Sequence, residues 1–223
     1  MSKMILACTS LKDYVVQTQN ILNTDYPVTY VSRLYHRDPK EMREHLLDAL
    51  AKLPEEVDTV LVAMGYCGGS WEDVKAPVRI VIPRVDDCVS LLLQTGEEVI
   101  SDLKKPGHLY VRDKDPSKEC FKRIFDNMAA AQDLDEETVN HYHEVWKSYY
   151  SNIDIIDTGI NDCHRPDYVA SVQADCDWLE AELGFVNGGT HLLEKLLVGD
   201  WDEQFLVLEP GERSAKDKVL AQA

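Results

Sequence analysis

The sequence predicts an α/β fold: a parallel, Rossmann-like sheet with helices on both faces, as one sheet or as two α/β lobes. Three observations carry this. Apolar runs alternate with amphipathic stretches in β–α–β–α–β order through the first hundred residues. The run from Val60 to Met64 is apolar at consecutive positions, as in a fully buried strand. Several of the runs stop at loops rich in glycine, aspartate or cysteine.

The elements follow in order. Residues 4–7 form a first strand, and 12–22, with Val15, Val16 and Leu22, a short helix. "PVTYVSRL" (27–34) is β-branched and aromatic, hence a second strand. At Asp38-Pro39 a helix begins: Asp38 is its cap, Pro39 suits its first turn and Glu41 stands where a capping-box acid belongs. Its apolar face runs through Met42, Leu46, Leu47, Leu50 and Leu53. Residues 57–64 and "VRIVIP" (78–83) are strands three and four, and "DDCVSLLLQTG" (86–96) is a helix. Beyond it the pattern predicts a strand at 107–112, a helix from Asp115-Pro116 to about Ala131, and a helix over 136–150. A strand at 153–159, a helix over 166–183, a short strand and loop at 185–189, a helix over 190–197 and a strand at 204–211 complete it. The expected division is an N-terminal lobe over 1–105, a C-terminal lobe over 106–212 and a frayed tail over 213–223.

Composition narrows the function classes. The 223 residues are 44% hydrophobic and 28% charged, ordinary for a soluble globular protein. No apolar run is long enough to span a bilayer, and the N-terminal apolar stretch is too short for a signal peptide, so a cytoplasmic protein is expected. The net charge of −17 repels phosphate backbones, which argues against nucleic acid and anionic membranes as partners. The six cysteines, without a CxxC pair, point away from disulfides and from compact zinc ribbons.

In open α/β sheets ligands bind beyond the carboxyl ends of the strands. Cys8 follows strand one, Cys67 follows strand three in "MGYCGGS", and Cys88 follows strand four. If these strands are neighbours, three sulfurs converge as metal ligands, and Gly68 and Gly69 let the backbone come close to a cofactor or substrate. A helix N-terminus beside Cys88 is expected to lower its pKa. The plainer reading is three packed thiols. Three thiolates suit zinc with one open position; the alternative is an iron–sulfur cluster, although such clusters usually take four cysteines.

Arg84 can grip a carboxylate or phosphate, or brace the loop by pairing with Asp86 or Asp87. In "DTGINDCHRPDY", Asp157, Asp162, Cys163 and His164 are candidate ligands or acid/base groups, the plainer role for Asp162 or Cys163 being to cap or precede the helix at Pro166. The amides of Gly188 and Gly189 in "NGGTH" can hold an anion, although the spacing matches no phosphate-loop fingerprint. His141 and His143, two apart on a helix, point to different sides. Cys120 and Cys176 fall within expected helices as filler residues. No G-x-S-x-G elbow is present.

"ILAC", "MGYCGG", "VIPRVDDCVSLLL" and "LLVGDWDEQFLVLEPGE" together resemble the DUF1638 family, over residues 4 to about 212. The Pro-Arg-x-x-Asp-Cys block is the most specific part. On that likeness Cys8, Cys67, Arg84, Asp87 and Cys88 fall on motif positions, which makes Arg84 and Asp87 the candidate catalytic residues. The family has no settled activity, but its members are often encoded beside corrinoid proteins and methylamine-type methyltransferases. The resemblance therefore implies a role in one-carbon metabolism. The resulting expectation is a cysteine-coordinated metal protein, zinc favoured, in corrinoid-linked methyl transfer to a small-molecule thiol. The alternatives are a non-catalytic partner of a corrinoid protein or methyltransferase, and a three-cysteine iron–sulfur protein.

Overall fold

The computed structural model describes residues 2–75, 77–112 and 120–220. The chain divides into two units, residues 1–103 with 190–223, and residues 104–189.

The first unit opens with β1 (Ser2–Cys8), α1 (Lys12–Leu22), β2 (Val28–Val31), α2 (Pro39–Ala51), β3 (Val57–Ala63), β4 (Arg79–Pro83) and α3 (Cys88–Leu93). The second unit contains β5 (His108–Arg112), α4 (Phe121–Ala131), α5 (Glu136–Tyr149), β6 (Asn152–Asp157), α6 (Pro166–Leu179) and β7 (Glu182–Asn187). The chain then returns to the first unit with α7 (His191–Val198), β8 (Phe205–Leu208) and α8 (Lys216–Val219).

The first sheet has the order β2-β1-β3-β4-β8. β1, β2, β3 and β4 pair in parallel, and β8 runs antiparallel along β4. The consecutive apolar residues of β1 and β3 are explained by their central positions: Ile5, Ala7, Val60, Leu61 and Val62 have no exposed surface. From β1 the strand order grows outward both ways, so a topological switch point lies between β1 and β3, where this class of sheet places its ligands. The second sheet, β5-β6-β7, is wholly parallel. Val111, Ile153, Ile155, Tyr168, Val172 and Leu179 fill its core.

The α/β class is as expected, with several local differences. Strand two stops at Val31, because residues 33–37 wind into a 3-10 turn started by Ser32, whose side chain accepts from the Leu34 amide. The helix expected over 166–183 stops at Leu179: Glu180 adopts a left-handed φ of 57°, and Leu183 lies in β7 instead. The expected helix start at Asp115-Pro116 lies outside the described residues, and α4 begins only after Cys120. Residues 190–212, expected in the C-terminal lobe, belong to the first unit because β8 pairs with β4. The segment expected to fray is held through residue 220. Ser214 is fully buried, its amide donates to the Val74 carbonyl, and Arg213 bridges to Lys75.

Candidate metal centre

Cys8 is the last residue of β1 and has no exposed surface. The Ser10 hydroxyl and amide both donate to its Sγ, at 3.0 and 3.4 Å. Beside it stands His36, whose Nε2 lies 3.5 Å from the same sulfur. The 3-10 turn carries this imidazole, and three contacts position the turn. The Arg33 amide donates to Thr9 Oγ1, the Tyr35 ring stacks on His45 of α2 at 3.7 Å, and the Asp38 amide closes onto the Tyr35 carbonyl. Asp38 then caps α2 through the Lys40 amide, as its sequence position predicts.

Cys88 reaches the same point from α3. Ligand atoms of Cys8, His36 and Cys88 all lie within 4.8 Å of one another, so this group can hold a metal ion. Cys67 neighbours the Cys88 thiol. Its loop is pressed onto the β4–α3 connection: the Tyr66 amide donates to Val85 O at 2.9 Å and the Cys67 amide to Asp86 O at 2.6 Å. Cys67 holds a left-handed φ of 51°, followed by Gly68 at 66° and Gly69 at 97°. A cysteine in that region is uncommon and costs backbone energy, which the two cross-loop hydrogen bonds offset.

The expectation that the helix start lowers the pKa of Cys88 is overturned. Its thiol is pushed up to about 12, first by the Cys67 thiol beside it and also by burial, while Cys8 pulls the other way. Cys8 is likewise pushed up to about 12, by the Cys88 thiol and then by burial, against His36 and Ser10. A six-residue helix does not overcome crowding among buried thiols. A bound cation reverses this logic, because it favours the thiolate directly.

The other sequence candidates sit as follows. Asp87 Oδ1 accepts from the Val89 and Ser90 amides at 3.0 and 2.8 Å and so caps α3. Arg84 Nε donates to the Phe205 carbonyl at 3.3 Å, bracing β4 against β8. Gly68 and Gly69 line a cavity of about 510 Å³ with Tyr66, Arg43, Glu72 and Lys216. Arg43 Nη2 donates to Gly69 O, while its buried Nε has no partner among the described residues. In the second unit the Gly188 amide is taken by Asp157 O at 2.9 Å, which leaves it unsuited to cradle an anion. Asp162 accepts from the His164 amide in a turn before α6, rather than capping that helix. His143 stacks on Trp178 at 4.5 Å, and His141 tilts against Tyr142. Cys120 is not inside a helix; it precedes α4, and its Sγ donates to Asp175 Oδ1.

Sequence reasoning missed His36. The signal is that "LYHRDP" follows strand two at the same sheet edge, where an imidazole serves as a ligand as well as a thiol does. Ser10 was missed too.

A family model described as "Protein of unknown function (DUF1638)" matches residues 30–197, three quarters of the chain. The chain belongs to the DUF1638 family. The matched stretch contains His36, Cys67 and Cys88, whereas Cys8 precedes it, so it is shorter than the 4–212 suggested by motif likeness. Neither the curated proteins nor the solved structures gave a match. The DUF1638 assignment names no activity, so function rests on the site itself. No described helix is long and apolar enough to cross a membrane.

Proposed function

We propose that this DUF1638 protein is a metal-dependent methyltransferase in which Cys8, Cys88 and His36 hold one zinc ion, with Cys67 beside them. The carrying observation is the meeting of two thiols and one imidazole within 4.8 Å at the switch point of a parallel sheet. The donor set fits the ion: two sulfurs and one nitrogen suit borderline zinc and leave a fourth position open. An iron–sulfur cluster fits less well, because the first unit supplies only Cys8, Cys67 and Cys88. When bound, zinc supplies a Lewis acid that holds a thiol as its thiolate near neutral pH.

The chain's own residues supply the rest. The cavity wall at Gly68 and Gly69 takes a small-molecule thiol, and the buried Arg43 Nε offers a donor to an acceptor atom on it. Glu72, hydrogen-bonded to the Tyr66 hydroxyl in that wall, is positioned to take the thiol proton. The thiol sulfur forms its bond to the methyl carbon while the donor departs with the bonding electron pair. The methyl donor proposed from the family's setting is a corrinoid carried by a partner protein. Arg84 and Asp87 act as positioning residues, holding β4 and α3 so that Cys88 faces Cys8.

The test is anaerobic purification, metal analysis and turnover of methylcobalamin with 2-mercaptoethanol. Bound zinc with turnover, of which C8S/C88S loses the turnover and one zinc ion per chain, supports the reading. A metal-free protein that is equally stable as C8S/C67S/C88S overturns it. A second reading, a non-catalytic partner protein with structural thiols, is favoured by the burial of all three cysteines. Zinc without turnover, with co-elution of a corrinoid protein, selects that reading.

A further inference from the structure

The second unit carries a separate donor cluster that the proposed reaction does not use. Asp157, Cys163 and His164 place a carboxylate oxygen, a sulfur and an imidazole nitrogen all within 4.8 Å of one another. They lie at the carboxyl end of β6 and on its connection to α6, the edge of a parallel sheet where ligands bind. Asp157 and His164 are each oriented by contacts besides the one between them. Asp157 Oδ1 accepts from the Gly159 amide at 3.1 Å, while Oδ2 faces His164 Nε2 at 3.4 Å. The His164 ring stacks on Phe185 of β7, with ring centres 4.7 Å apart, and its amide is held by Asp162. Cys163 is buried at 1% exposure, whereas His164 is 63% exposed.

A surface His–Asp pair alone contributes little to stability. Such a pair also does not require a thiol beneath it or an aromatic ring fixing the imidazole plane. From this combination we infer that Asp157, Cys163 and His164 form a second metal site, taking a divalent transition ion such as zinc. One oxygen, one sulfur and one nitrogen donor satisfy three corners of a tetrahedron. The exposed side at His164 leaves the fourth corner to water or to an anionic or thiol ligand. The site shares no residue with the centre at Cys8 and Cys88.

Equilibrium dialysis of the full chain against zinc, with the metal counted per chain, tests it. His164 is exposed, so H164A is expected to fold; D157N serves as a second variant that keeps Oδ1 for the Gly159 turn. Each should lower zinc uptake by about one ion per chain. The C8S/C88S variant should retain the ion that H164A loses. With cobalt in place of zinc, C8S/C88S should keep a sulfur-to-metal absorption band that disappears in C8S/C88S/H164A. Unchanged zinc stoichiometry and affinity in folded H164A and D157N would overturn the site, whatever the outcome at Cys8 and Cys88.

Discussion

Gly65 lies so close to Asp87 that a Cβ on the glycine would fall 2.5 Å from the Asp87 Cα and 2.6 Å from its amide nitrogen. Two loops, one after β3 and one after β4, therefore touch backbone to backbone. Cys67 and Cys88 stand immediately beyond this contact, so their proximity depends on the absence of a side chain at residue 65. Gly65→Ala is expected to push the loops apart and destabilise the protein by about 1–3 kcal/mol, the usual cost of overpacking. Urea denaturation measures the loss, and metal content should fall together with stability. A variant with unchanged midpoint and unchanged metal would show that the contact is dispensable.

The thiols define a pH dependence. Both Cys8 and Cys88 sit at about 12 in the folded protein, against an ordinary value of 9.0. A pKa raised on folding means the folded state holds the proton more tightly. The stabilisation is therefore present below pH 9 and is lost as pH rises from 9 towards 12. Metal-free protein should lose stability across that window, and C8S/C88S should lose less. Zinc uptake at pH 7.5 by wild-type protein should release about two protons more than uptake by C8S/C88S, one from each thiol, detectable with a pH indicator in weak buffer.

His36 is the exposed member of the trio. Its turn is held by Thr9, Asp38 and the His45 ring, contacts made without the imidazole Nε2, so His36→Ala should leave the fold in place. Zinc affinity is expected to drop by at least about tenfold, read by competition with a chromogenic chelator. Equal affinity in the variant would remove His36 from the ligand set.

Lys195 is a buried cation in the first unit, bonded to Glu97 at 2.6 Å, Asp202 at 2.5 Å and Gln204 Oε1 at 2.9 Å. Burial works against its charge, but Asp202 and Glu97 outweigh that and raise its pKa above 10.5. Burial also opposes the charge on Asp202, yet Lys195 holds its carboxyl below 3.8. The pair therefore stabilises between these limits: Asp202's share is lost as pH falls below 3.8, and Lys195's as pH rises above 10.5. Lys195→Met should cost about 2 kcal/mol at pH 7, measured by urea unfolding, with a smaller difference from wild type at pH 3.

In the second unit Asp175, 2% exposed, caps the start of α4 from α6. Its carboxylate accepts from the Phe121 amide at 2.6 Å and the Lys122 amide at 3.1 Å. Asp175→Ala leaves these amides without an acceptor and should destabilise that unit by about 1–3 kcal/mol. Hydrogen exchange should locate the loosening at residues 121–125; protection unchanged there would contradict the capping role.

Much of the site was legible because the rules involved are local. The β–α alternation marks where strands stop, and Cys8, Cys67 and Cys88 follow three of those stops. Asp38 stands one residue before its helix, where a short acidic side chain reaches the first free amides. His36 was hidden because Leu34 extends the apolar pattern of strand two past Val31, and only the Ser32 turn breaks it. The cap from Asp175 was hidden because it joins residues more than fifty positions apart.

By itself, then, the sequence determined the α/β class, the strands that end in cysteine loops, and the Asp38 cap, since each depends on hydrophobic period or on bonds a few residues long. Tertiary structure alone decided three other things. β8 returns antiparallel to β4 and draws residues 190–223 into the first unit, because pairing depends on which edge is free, and no local pattern encodes that. His36, rather than Cys67, completes the 4.8 Å trio with Cys8 and Cys88, because the strand order brings the β2 turn to the end of β1. And the thiols rise to about 12 where a helix start predicted the opposite, because burial and neighbouring sulfurs act through space and outweigh the dipole of a short helix.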